Sequence, residues 1–194
     1  MKDLMQSTDK KVLRQELRTQ AKRLLTGDVR ERWSALICTN IEQMPSFLQS
    51  RNVALFMALP DEPDLSFLLN KYFLQKNLYL PRVEGEHEMS FYPYQPDRLE
   101  AGGKFDILEP INDASEAIDP KQLDLILVPG LGFDIRGRRL GRGKGFYDCY
   151  LSQTSALCVG VAFAFRMVEQ IPTSEWDKVM DGIVTEKGYQ EAVH

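Results

Sequence analysis

Apolar residues change their period along this chain, and the changes lay out its elements. Leu13, Leu17, Ala21 and Leu24 recur at helical spacing within residues 8–25, with Lys and Arg on the other face. That pattern predicts an amphipathic helix, stopped by Gly27. Asp28 followed by Glu31 reads as a capping box for a second helix carrying Trp33, Leu36, Ile37 and Ile41, with Pro45 after it. Residues 53–59 are a continuous apolar run, which predicts a strand covered on both faces. The run ends in the acid-rich turn Pro60-Asp61-Glu62-Pro63, and Asp64 is read as the cap of a helix with Leu65, Leu68, Leu69 and Phe73 inward.

Residues 78–83 and 89–94 read as two strands joined at Glu84-Gly85-Glu86. Residues 96–120, with Gly102-Gly103 and Glu109-Pro110, read mainly as loop. The clearest strand is 123–128, and 157–162 and 182–184 are short late ones. Alternating strands and helices predict a three-layer α/β/α fold with a mostly parallel sheet. No repeat or linker divides the 194 residues, so a single domain spanning 1–194 is expected.

Between Leu127 and Tyr150 the pattern changes character. Arg136, Arg138, Arg139, Arg142 and Lys144 are interleaved with Gly137, Gly141 and Gly143, and Gly145 follows. A buried strand leads in, and Phe146-Tyr147-Asp148 can open a helix. Bare backbone beside positive charge is the combination that meets a polyphosphate. The loop is not a P-loop, because Arg138 stands where its first glycine belongs and Gly145 where Ser or Thr belongs. It is not a dinucleotide fingerprint either, since Phe146 replaces the last glycine.

Composition sharpens this picture. A net charge of −4 argues against a general nucleic-acid binder and makes so basic a loop more telling. Cys38, Cys149 and Cys158 are odd in number and form no CxxC pair, so neither zinc nor a disulfide framework is expected. No apolar run reaches membrane-spanning length, and the expected setting is the cytosol.

The segment Leu127-Val128-Pro129-Gly130-Leu131-Gly132-Phe133-Asp134, then Gly137, then residues 139–148, resembles the signature of the 5-formyltetrahydrofolate cyclo-ligase family. Lys10-Lys11-Val12-Leu13-Arg14 resembles its N-terminal KxxLR element, and Glu62-Pro63-Asp64 its E-x-D element. The resemblance implies the fold shared with sugar-phosphate isomerases and coenzyme A transferases. It also implies ATP-dependent closure of 5-formyltetrahydrofolate to 5,10-methenyltetrahydrofolate, with ADP and phosphate released. The formyl oxygen takes the γ-phosphoryl group and N10 then attacks the activated carbon. Such chemistry asks the protein for alignment and charge compensation.

By the same resemblance, Lys10 and Arg14 reach ATP phosphates. Arg139, Leu140, Gly141, Arg142, Gly143, Lys144, Gly145, Phe146 and Tyr147 wrap the triphosphate. Arg142, Lys144 and Phe146 are the catalytic candidates, the first two on the γ-phosphate and Phe146 beside the formyl group. Met57 and Glu62 join residues 142–146 at the folate, Glu62 accepting pterin N–H groups. Asp148 and Asp181 hold Mg²⁺. Each has a plainer reading: Lys10 and Arg14 as an exposed helix face, Glu62 as a neighbour of the Asp64 cap, Asp148 as a first-turn acid, Asp181 as part of an Asp-Gly turn, and Tyr147 as packing. Trp176 stands where many family members have His, and is read as packing. His87 and His194 do not suit a general base. Two rivals stay open: a phosphosugar isomerase-like enzyme, and a non-catalytic folate or nucleotide binder.

Overall fold

The computed structural model describes residues 10–86, 88–102, 107–172 and 177–193. A seven-stranded sheet forms the centre, in the order β11-β10-β9-β6-β1-β2-β3. Its strands are β1 (Asn52–Ala54), β2 (Asn77–Val83), β3 (Met89–Pro93), β6 (Leu125–Pro129), β9 (Leu157–Val161), β10 (Gly182–Thr185) and β11 (Gly188–Glu191). The five inner strands run parallel, and the edge strands β3 and β11 turn back antiparallel. The expected mostly parallel sheet is therefore present.

Alternation along the strands separates two cores. Val53, Leu125, Leu127, Val159 and Val184 face α2 (Val29–Glu42), α3 (Pro45–Gln49) and α4 (Ser66–Tyr72). Ala54, Ile126, Val128, Cys158 and Ile183 face α5 (Phe146–Leu151) on the other side. A strand covered on both faces has no polar stripe, which is why these segments read as unbroken apolar runs. Helix α1 (Lys10–Leu24) instead seats Leu13 and Leu17 on Leu131, Leu140 and Ile171, beside the small hairpin β7 (Gly132–Phe133) and β8 (Arg139–Leu140).

That hairpin lies very close to the sheet. The Phe133 ring sits over Gly160, and a Cβ at position 160 would fall 2.5 Å from it. Asp134, 1% exposed, closes the turn by accepting the N–H groups of Arg136 and Arg138 on Oδ1 and of Ile171 on Oδ2.

Four expectations are corrected. The strand expected over 53–59 leaves the sheet after Ala54, because the chain turns toward Pro60 to build the site. Residues 96–120 are not mainly loop: β4 (Leu99–Gly102) and β5 (Ile107–Pro110) pair as a hairpin, followed by two single 3₁₀ turns. Asp28 makes no side-chain cap and instead pairs with Arg32 one turn on, at 3.2 Å. Phe73 is 38% exposed rather than inward. Pro45 opens the short α3. Trp176, His87 and His194 lie outside the described residues.

Candidate active site

Connections from β1 run one way across the sheet to β2, while the later chain returns beside β1 and proceeds the other way through β6, β9 and β10. Open α/β sheets bind ligands at the carboxyl ends of the strands flanking such a reversal. A pocket opens there. Phe56, Met57, Leu59 and Glu62 line it after β1, and Pro129 and Gly130 at the end of β6. Arg139 and residues 141–148 add the basic loop and the start of α5, and residues of β2, β3 and β5 form a further wall. Of the expected site residues, Met57, Glu62, Arg139, Gly141, Arg142, Gly143, Lys144, Gly145, Phe146, Tyr147 and Asp148 thus meet around one space.

Arg142 is the electrostatic hub. Its Nε and Nη2 donate to Glu62 Oε1 at 3.0 and 2.8 Å, and Nη2 also reaches Asp61. Asp61 in turn accepts from Arg166, whose Nη2 donates to its Oδ2 at 2.9 Å and to its carbonyl at 2.8 Å. Arg166 Nη1 donates to Leu131 O at 2.8 Å, and the residue is 0% exposed. One guanidinium therefore joins the segments that follow β1, β6 and β9. Burial alone would raise the Asp61 carboxyl, but Arg142 and Arg166 outweigh it and hold Asp61 below the usual carboxylate value. Burial lowers Arg142, yet Glu62 and Asp61 win and raise it. Asp61, Glu62, Arg142 and Arg166 form a neutral quartet.

Asp61 and Arg166 were missed in sequence. Asp61 was legible only as part of an acidic turn, and Arg166, a lone cation beyond an apolar strand, carried no motif. The turn itself is closed by Glu62 Oε2 accepting the Leu59 N–H at 3.0 Å, and by Arg30 Nε donating to Glu62 O at 3.0 Å.

The basic loop divides by position. Arg136 is exposed, Arg138 half-buried, and neither lines the pocket. Arg139, 8% exposed, donates from Nη2 to Asp148 Oδ1 at 2.6 Å and lies 5.5 Å from the Tyr147 ring centroid. Lys144 is exposed at the pocket rim. Gly143 and Gly145 hold φ of +99° and +77°, so residues with a Cβ are strained there. The Tyr147 hydroxyl is buried without a hydrogen-bond partner among the described residues. Burial, with Glu62 adding to it, pushes that phenol upward, so it stays protonated and able to donate.

Other expected residues lie apart from the pocket lining. Arg14 Nε donates to Gly141 O at 2.8 Å, which brings α1 onto the loop, while Lys10 pairs with Asp177 at 2.6 Å. The Leu140 side chain is fully buried in the α1 cluster and its carbonyl accepts from Leu131 N. Leu140 is thus absent from the pocket lining, between Arg139 and Gly141 that belong to it. Asp181 Oδ2 accepts the Cys158 N–H at 2.7 Å. Among the described residues, no group of three or more His, Cys, Asp or Glu gathers as a metal site.

Comparison with known proteins places the chain in a family. The model of the 5-formyltetrahydrofolate cyclo-ligase family matches residues 6–186. The chain belongs to the 5-formyltetrahydrofolate cyclo-ligase family. A 5-formyltetrahydrofolate cyclo-ligase of Mus musculus is 30% identical over 196 residues, covering 91% of this chain and 93% of that protein. Another, of Haemophilus influenzae, is 30% identical over 173 residues, covering 84% of this chain and 92% of its own. The solved structure of the 5,10-methenyltetrahydrofolate synthetase of Aquifex aeolicus superposes with a TM-score of 0.80 at 38% identity, covering 94% of both chains. Within the cyclo-ligase family ATP is a co-substrate.

Proposed function

We propose that this chain, as one domain over 1–194, converts 5-formyltetrahydrofolate to 5,10-methenyltetrahydrofolate at the expense of ATP, as a monomer in the cytosol. The observation that carries the reading is the convergence of Met57, Glu62 and residues 141–148 on one pocket. An N5-formyl group is amide-like and a poor electrophile. Transfer of the γ-phosphoryl group to its oxygen turns that oxygen into a leaving group, N10 attacks the carbon, and phosphate departs with the oxygen. Protein groups align the two ligands and offset charge on the moving phosphoryl group.

Lys144 and Arg142 serve the γ-phosphate, with Arg14 and Lys10 approaching the triphosphate from α1. Glu62 accepts the pterin N–H groups, and Met57 and Phe146 supply apolar contact. Tyr147 offers its phenol hydrogen to the ligand. Asp148 Oδ1 is taken by Arg139, and Asp181 Oδ2 by Cys158, which leaves one oxygen of each outside those bonds. Two such carboxylates suit Mg²⁺, a hard cation that takes oxygen from carboxylate and substrate phosphate together. When bound, Mg²⁺ supplies charge neutralisation for the phosphoryl oxygens.

The test is direct. Protein, 5-formyltetrahydrofolate, Mg²⁺ and ATP are mixed and the near-ultraviolet absorbance of methenyltetrahydrofolate is followed. No ATP-dependent signal from well-folded protein sinks the proposal.

A further inference from the structure

The hairpin of β4 and β5 carries an acid that the chemistry above leaves without a task. Glu109 lies on β5, where Leu108 is 40% exposed and Glu109 only 8%. Strand side chains alternate faces, so Ile107 and Glu109 share the inward face, and both line the pocket together with Pro81, Val83 and Met89. Arg82, from β2, fixes this wall by donating Nη1 to Pro110 O at 3.3 Å and to Asn112 O at 2.6 Å.

The position is an expensive one for a carboxyl. Its surroundings are largely apolar, and Glu100 stands directly opposite across the hairpin, a like charge. Burial raises the Glu109 carboxyl above its ordinary value, only partly offset by a hydrogen bond from the Val83 backbone and by Arg82. Glu62 lies in the turn after β1 and is taken by Arg142, whereas Glu109 comes from β5, so the two acids enter the pocket from different elements. An apolar residue would fill the wall at lower cost, and a local rule broken in this way points to a functional position.

We propose that Glu109 is a second ligand-recognising carboxylate, accepting an N–H of the reduced folate at the wall made by Pro81, Val83, Met89 and Ile107. This rests on the reading of the pocket as the folate site. Reduced folate offers such donors away from its 2-amino edge, at N8 of the ring and at N10. A carboxylate has acceptor capacity to spare after one backbone bond.

Calorimetric titration of the full chain with 5-formyltetrahydrofolate, without nucleotide, tests this on Glu109→Ala and Glu109→Gln. The Ala variant is expected to bind at least tenfold more weakly and the Gln variant to lose less, because its amide oxygen still accepts. Binding of a nonhydrolysable ATP analogue should stay within twofold in both. The Gln variant should melt at or above the wild-type temperature at pH 7, since it removes a disfavoured charge. Repeating the titration with 5-formyl-6-methyltetrahydropterin, which lacks N10, separates the donors: a loss that persists assigns the ring N–H, and one that disappears assigns N10. Folate affinity within twofold of wild type in Glu109→Ala overturns the inference, as does an equal loss for the ATP analogue. Failure of the wild-type protein itself to bind 5-formyltetrahydrofolate overturns the folate reading of the pocket, and the inference with it.

Discussion

Arg142 gives two N–H groups to a single carboxylate oxygen of Glu62. In the proposed roles Arg142 serves the nucleotide and Glu62 the folate, while without ligands the two are paired with each other. Phosphate that draws Arg142 away leaves Glu62 ready for pterin donors, and folate that takes Glu62 frees Arg142. Linkage makes the effect equal in both directions. The expected outcome is that a nonhydrolysable ATP analogue tightens 5-formyltetrahydrofolate binding about tenfold, within the usual range of coupling between sites. Glu62→Ala should weaken folate binding more than ATP binding and abolish the synergy. Independent binding in wild type would refute the exchange of partners, and equal loss of both ligands would remove Glu62 from the folate site.

Lys144→Ala should leave the fold intact and lower turnover by about 100-fold or more, the scale seen when one donor to a developing charge is removed. Lys144 is exposed at the rim and buries little, so its circular-dichroism melt should match wild type. Near-normal turnover would take Lys144 out of the mechanism.

Asp61 neutralises Arg166, which is fully buried. Asp61→Asn should cost about 3 kcal/mol, at the low end for stranding a buried charge because the Asp61 side chain keeps 27% exposure. The sign with pH is fixed by the depressed folded value. The carboxylate contributes stability above the ordinary Asp value of about 3.9 and loses it as pH falls through the lower folded value. Urea melts at a series of pH values should show the gap between wild type and Asp61→Asn closing only on the acid side. A gap independent of pH would show that charge is not what Asp61 provides.

Chelation separates a metal that arrives with the nucleotide from a resident one. Asp148 and Asp181 are each engaged by donors of the protein itself. EDTA should therefore abolish turnover while leaving the melting temperature of the ligand-free protein within about 1 °C, as expected when binding contributes nothing to the free protein. A marked drop in melting temperature would point to a structural ion.

The inner sheet, α1, α2 and the glycine loop were legible because each carries a strong local signal: unbroken apolar runs, helical spacing, and glycines between cations. What escaped was set by distant partners. Arg166 gains its importance from Asp61 O and Leu131 O, more than thirty residues away in each case. The β4–β5 hairpin has no apolar alternation to announce it, since Ile107 shares the inward face of β5 with an acid, Glu109, while Leu108 is exposed. The run 53–59 looked like one strand because residues lining a pocket and residues filling a core share the same apolar character. Only the break in pairing after Ala54 distinguishes them. Family resemblance named Leu140 with its neighbours as a block, whereas alternation in β8 turns it away from the pocket.

The contact of Phe133 with Gly160 sets a height. With no side chain at 160, the hairpin rests on the bare backbone of β9 and the cations that follow it start from a fixed floor. Any larger residue there lifts that floor by roughly a methyl group's thickness, tilting Arg139 and everything after it relative to Met57 and Glu62. The height of the basic loop is thus set in part by an atom that is missing from the middle of the sheet.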